Sequence, residues 1–166
     1  AFATSETSEQ RSFRNEYIVP FVLLGVYAIA NQYPSEVTGA TEEDVDKVAE
    51  GLWQGTVNLI TRSKVGHAPR ILLEVIYKEG FSGAAGSLDE KVTLLAPDGK
   101  AFNEDEELAI RSAKDFVLDI KAINDRLFVL KDDIEEIKLC LDNEIEVKGI
   151  EDLEAEFGDK LIIQKR

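Results

Sequence analysis

Tyr17–Ala30 reads YIVPFVLLGVYAIA, a near-continuous run of Val, Ile, Leu, Phe and Tyr. Such a run predicts a strand buried on both faces or along one long face. Pro20 has no N–H for a ladder, which puts it at a bulge, a strand start or an edge, and Gly25 allows a bend. Pro20, Asn31 and Gln32 interrupt the apolar stretch, so a buried strand is a better reading than a membrane span. Downstream, Thr41 precedes Glu42, Glu43 and Asp44, an N-cap followed by acids that suit the positive end of a helix. Val45, Val48, Ala49, Leu52, Trp53, Val57 and Ile60 then recur at helical spacing and predict one face packed on a sheet. That helix should end near Arg62–Lys64, where cations suit its negative end; Gly66 offers a turn and Pro69 bars further helix. Arg70–Tyr77, RILLEVIY, predicts a second strand. Strand, helix and strand in this order predict a βαβ unit over residues 17–78, with parallel strands and a right-handed crossover.

On the N-terminal side, residues 1–15 are rich in Ser, Thr and Glu and read as a loop arm, with Arg11 and Arg14 near its end. On the C-terminal side, the three glycines of Glu79–Leu88 predict a flexible loop. Lys91–Leu95 and the APDG turn predict a short strand and its reversal. Glu104–Lys114 predicts a short acidic helix and Asp115–Ile120 a strand. Over Lys121–Asp142, the positions Ile123, Leu127, Leu130, Ile134, Ile137, Leu139 and Leu141 predict one amphipathic helix. Glu144–Val147, Ile150–Phe157 and Leu161–Ile163 complete the chain as strand, helix and strand.

At 166 residues the chain has the length of one domain, and 44% hydrophobic against 31% charged residues is a globular balance. Acids outnumber bases by 33 to 19, giving a formal net charge of -14. Residues 101–166 hold 19 of those acids and 10 of the bases. Such a surface repels bulk nucleic acid and anionic membrane, so nucleic-acid binding needs a focused patch. It also suits solubility at high salt, where screening removes the mutual repulsion of carboxylates, and points to a halophilic source. A single cysteine, Cys140, and no Cys/His cluster at metal-site spacing predict a reducing, cytoplasmic setting without a structural metal. No methionine is present and the chain starts at Ala1, as a fragment or a processed chain would.

Against this acidity stands Asn58–Arg70, NLITRSKVGHAPR. It gathers Arg62, Lys64, the single histidine His67 and Arg70, and no acid occurs from Gly51 to Leu73. A basic, acid-free window favours an anion; the plainer reading is a polar connection between helix and strand. Arginine offers phosphate a rigid fork, lysine a point charge, and amides beside Gly66 further donors. A few such contacts bind weakly on one molecule and strongly when identical subunits line up on one strand. Enzyme chemistry is poorly supported. His67 has no Ser, Cys or Asp at a recognisable spacing, Glu104–Glu107 reads as a solvated face, and no nucleotide-binding or HExxH motif occurs. No catalytic residue, metal ligand or cofactor is predicted.

RSFRNEYIVPFVLLGVYAIAN (Arg11–Asn31) and GLWQGTVNLITRSKVGHAPRILLEVIY (Gly51–Tyr77) together resemble the C-terminal half of the backbone subunit of subtype I-B CRISPR surveillance complexes. These are RAMP-superfamily proteins, and the resemblance is strongest over residues 1–80. It implies an α+β, ferredoxin-like or modified RNA-recognition fold, present here as an incomplete fragment. Residues 1–15 would be the returning limb of a thumb loop and residues 16–166 a palm portion. The family stacks as a filament on a guide RNA within the Cascade antiviral complex and displaces bases so that target DNA can pair. Its implied partners are guide RNA, further copies of itself and other complex subunits, with target DNA reached indirectly and no membrane. Carried over by position, Arg11, Arg14, Asn58, Arg62, Ser63, Lys64, His67 and Arg70 would face or support the RNA. The family subunit is not a nuclease. The competing readings are a protein-interaction or scaffolding domain without RNA contact and, more distantly, an RNA-processing nuclease.

Overall fold

The computed structural model describes residues 19–61 and 64–166. Among the described residues five α-helices are present: α1 (Gln32–Thr38), α2 (Glu42–Val57), α3 (Glu104–Leu108), α4 (Lys121–Val129) and α5 (Ile150–Phe157). Six strands accompany them: β1 (Ile71–Tyr77), β2 (Thr93–Leu95), β3 (Val117–Asp119), β4 (Ile134–Leu141), β5 (Glu146–Lys148) and β6 (Leu161–Lys165). The strands form two three-stranded sheets, β1-β4-β6 and β2-β3-β5. The fold is therefore α+β, as the sequence predicts, and is compatible with a ferredoxin-like or RNA-recognition architecture.

Both sheets follow one plan. In the first, β1 runs antiparallel to β4 and β4 parallel to β6; in the second, β2 runs antiparallel to β3 and β3 parallel to β5. A parallel pair needs a long crossover. Here α4 lies in the connection from β3 to β5 and α5 in that from β4 to β6, with each connection also carrying one strand of the other sheet. The two sheets are thus interleaved along the chain and share a core. Ile120, Ile123, Leu127, Ile134, Ile137, Leu153 and Phe157 form one buried cluster, and Ile110, Phe116 and Leu118 a smaller one. Ile71, Val92 and Val147 pack against both.

Local signals account for several element ends. Thr41 and Asp44 make a reciprocal capping box at α2: the Asp44 N–H donates to the Thr41 hydroxyl and the Thr41 N–H to the Asp44 carboxylate at 2.9 Å. Those bonds to Thr41 hold the Asp44 carboxyl below its usual range. Asn103 and Glu106 repeat the device at α3. At α5 the cap is Gly149, with φ of 101°, where an added Cβ would sit 3.0 Å from Nδ2 of the buried Asn124. That Nδ2 donates to the Gly149 carbonyl at 2.7 Å and ties α4 to the start of α5.

Several expectations are corrected. The βαβ unit over 17–78 is not formed: no strand occupies residues 19–30, and β1 pairs antiparallel with β4. Val22, Leu24 and Val26 are 55%, 70% and 75% exposed, against 36% and 38% for Leu23 and Tyr27. Phe21 turns inward against Phe116, with ring centroids 5.9 Å apart. Val19 and Ile29 are also exposed, at 69% and 59%, so no strict alternation holds along the stretch, and among the described residues it has no ladder partner.

α2 ends at Val57, capped by Asn58, and does not reach Arg62–Lys64. Its apolar face is not packed either: Trp53 is its one buried residue, and Val45, Val48, Leu52 and Val57 are exposed. The predicted helix over Lys121–Asp142 breaks into α4, a turn and β4. Ile134, Ile137 and Leu141 continue the helical spacing of α4, yet as the central strand of its sheet β4 buries Leu139 and Cys140 on opposite sides as well. Finally, the loop at 79–88 is pinned. The Ala85 N–H donates to the Tyr77 hydroxyl at 2.8 Å, the Arg126 Nε donates to the Ala85 carbonyl at 2.9 Å, and Phe81 stacks on Tyr77.

Candidate nucleic-acid interface

The basic window connects α2 to β1, and the structure holds it at both ends. At its entrance, the Asn58 N–H and Nδ2 both donate to the Gln54 carbonyl, at 3.0 and 2.8 Å, closing the C-terminus of α2. The side chain of Asn58 is thereby engaged in the cap. α2 itself rests on the β1-β4-β6 sheet. Asp46 accepts from Lys138 of β4 at 2.9 Å, and Glu50 accepts from Arg166 beyond β6 at 2.8 Å. Trp53 lies under the Arg166 guanidinium, 5.9 Å from ring centroid to Cζ. The Asp46 contact raises the Lys138 pKa, and the Arg166 contact lowers that of Glu50.

Beyond Asn58 the chain makes short turns. The Lys64 N–H donates to the Thr61 carbonyl at 3.1 Å and the His67 N–H to the Lys64 carbonyl at 3.3 Å. Gly66, with φ of 89°, takes the left-handed conformation inside this turn. Lys64 and His67 flank the turn and are exposed, as are Val65 and Ala68 between them and the strand. An ammonium and an imidazole presented this way, beside turn amides, suit the oxygen atoms of an anion. Arg62 and Ser63 lie outside the described residues, as do Arg11, Arg14 and the arm at 1–15.

At the exit, Arg70 behaves differently from Lys64 and His67. It is 17% exposed and its guanidinium donates to Asp142, itself 15% exposed, with Glu144 at 3.5 Å. The acid-free character of Gly51–Leu73 therefore ends at Arg70 in space. The sequence offers no sign of this, because Asp142 lies 72 residues away.

Nothing else in the described residues competes as a site. No group of three or more His, Cys, Asp or Glu side chains is gathered there to hold a metal ion. A concavity of about 340 Å³ lies beside the 97–99 turn and the start of α5, with Asp98, Glu146 and Glu151 against one Lys148. That charge balance disfavours phosphate. No described helix is long and apolar enough to cross a membrane.

Residues 1–121, which include the whole window, match the family of the CRISPR-associated protein Cas7. The chain belongs to the Cas7 family. The Cas7 of Haloferax volcanii, named a CRISPR-associated protein, is 25% identical over 162 residues, taking in 96% of this chain and 43% of that relative. The chain thus spans less than half the length of that relative. The Cas7 match stops at residue 121, whereas Lys138, Asp142 and Arg166, which anchor the matched window, lie beyond it. The two parts are joined through the β1-β4-β6 sheet.

Proposed function

We propose that this Cas7-family chain is the C-terminal half of a backbone subunit of a subtype I-B CRISPR surveillance complex. It binds the guide-RNA backbone without catalysing a reaction and repeats along the RNA as a filament that supports target DNA recognition. The observation that carries the reading is the exposed Lys64–His67 turn, fastened at both ends in a molecule of net charge -14. Arg62 and Ser63 of the window, and Arg11 and Arg14 of a thumb-like arm at 1–15, are assigned to the same RNA from the sequence resemblance. Asn58 and Arg70 flank the turn from residues 16–166, the palm. The partners are guide RNA, further copies of the subunit and other members of the complex, in the cytoplasm and without membrane contact.

Salt titration of RNA binding by the full chain tests this. Arg62→Ala and Lys64→Ala should each weaken binding and flatten the slope of log affinity against log salt by about 0.7, the single-strand value per phosphate contact. Unchanged affinity in the double variant rejects the assignment. The rival reading, a protein-interaction or scaffolding domain without RNA contact, draws on the exposed apolar residues Val22, Leu24, Val26, Val48 and Leu52. It expects no RNA binding at any salt concentration. RNA cleavage would favour the nuclease reading instead.

A further inference from the structure

We infer that Asp142 positions the RNA-binding turn by clamping Arg70, so that Arg70 acts as a fastening and not as a phosphate contact; this rests on the function proposed above. Asp142 is held from several directions. Its N–H donates to the Arg70 carbonyl at 3.0 Å, one carboxylate oxygen accepts the Arg70 guanidinium, and the other accepts the Glu144 N–H at 3.2 Å. The same corner closes the sheet. Ile71 pairs with Leu141, the Arg166 N–H donates to the Leu141 carbonyl at 2.9 Å, and the Asn143 N–H donates to the Arg166 carbonyl at 3.0 Å. Arg70 is thus fixed in backbone and side chain where all three strands of the sheet end or begin.

From that point the chain runs back through Pro69, whose φ is locked, and Ala68 to His67. Few free torsions separate the clamp from the turn, so the clamp sets the direction in which His67 and Lys64 point. The charges argue against a second role for Arg70. Its single positive charge faces the carboxylates of both Asp142 and Glu144, and a phosphate approaching it would meet them first.

Asp142→Asn separates the alternatives by sign. Removing a negative charge beside a polyanion site should tighten RNA binding if charge alone matters. Loss of the clamp should weaken it, by about two- to tenfold for a coupling of this kind, with the salt slope unchanged because no phosphate contact is deleted. The measurement is fluorescence anisotropy of the full chain with a fluorescein-labelled single-stranded RNA at several salt concentrations, alongside a thermal melt of each variant. Weaker binding by folded D142N at the parental slope supports the clamp; equal or tighter binding overturns it. Should D142N fail to fold, the exchanged pair R70D/D142R takes its place. Recovery of near-parental affinity there supports the clamp, and a loss overturns it, since Arg70 would then have been touching RNA itself. A parent that binds no RNA defeats the function reading and this inference together, whereas a binding parent with an indifferent D142N defeats the clamp alone.

Discussion

Trp53→Ala should release α2 from the sheet while leaving the rest of the molecule folded. Trp53 is the single tryptophan and, at 5% exposure, the one buried residue of α2. Truncating a buried tryptophan costs about 3–5 kcal/mol, and the contact with the Arg166 guanidinium is lost with it. What would remain are two solvent-screened ion pairs, Asp46–Lys138 and Glu50–Arg166, which hold little by themselves. Val45, Val48 and Leu52 are exposed and add little. A 16-residue helix without tertiary support is marginal in water, so the deficit falls on α2 itself.

Hydrogen exchange followed by mass spectrometry reads the outcome. In the variant, the α2 amides should exchange almost as fast as unprotected amides, while those of β4 keep their protection, because Ile134 and Ile137 are 0% exposed and do not depend on α2. Two results refute the reasoning: α2 protection that survives, or β4 protection that falls in step with it. RNA affinity should drop as well, since α2 fixes the entrance of the basic window.

Ile137→Ala removes a fully buried side chain from the central strand and should cost about 2–5 kcal/mol, seen as a lower urea midpoint with an unchanged slope. Burial pushes the Glu74 carboxyl above the usual glutamate value of 4.5, with Lys138 opposing and Asp46 and Glu136 reinforcing. The folded state therefore holds that proton to a higher pH than the unfolded state, and its stability falls as pH rises above 4.5. Glu74→Gln should accordingly raise the urea midpoint near neutral pH and leave it unchanged well below 4.5. A lowered midpoint near neutral pH would mean that pairing with Lys138 outweighs burial.

Short-range signals in the sequence carried well into the structure. The α5 boundaries fall where the spacing of Ile150–Phe157 puts them, and Thr41 caps α2 as its acidic first turn suggests. Failures arose where a local pattern fits two partners. Ile134, Ile137 and Leu141 satisfy a helical repeat, but pairing with β1 on one side and β6 on the other decides for a strand. At 19–30 the apolar content is right for a strand, and the deciding quantity, a neighbouring backbone to bond with, is not encoded in the stretch itself. In Glu79–Leu88 the glycines suggest freedom, and Tyr77 and Arg126 remove it. The candidate site divides the same way. The charge of Lys64 and His67 is a local property of the window, whereas the bond between Arg70 and Asp142 depends on a sheet register that no local window contains.

That register gives the two ends of the window a common footing. Arg166 pairs with Glu50 and covers Trp53, which seats the helix at the entrance. Its backbone bonds to Leu141 and Asn143 on either side of Asp142, which holds Arg70 at the exit. A displacement at Arg166 is therefore felt at both ends of the turn at once. The α2 and Arg70 attachments should then couple: Trp53→Ala combined with Asp142→Asn should lose less RNA affinity than the sum of the separate losses, because each already loosens a support the other shares. Strict additivity would mean that entrance and exit are fixed independently, and Arg166 would be no more than a neighbour to each.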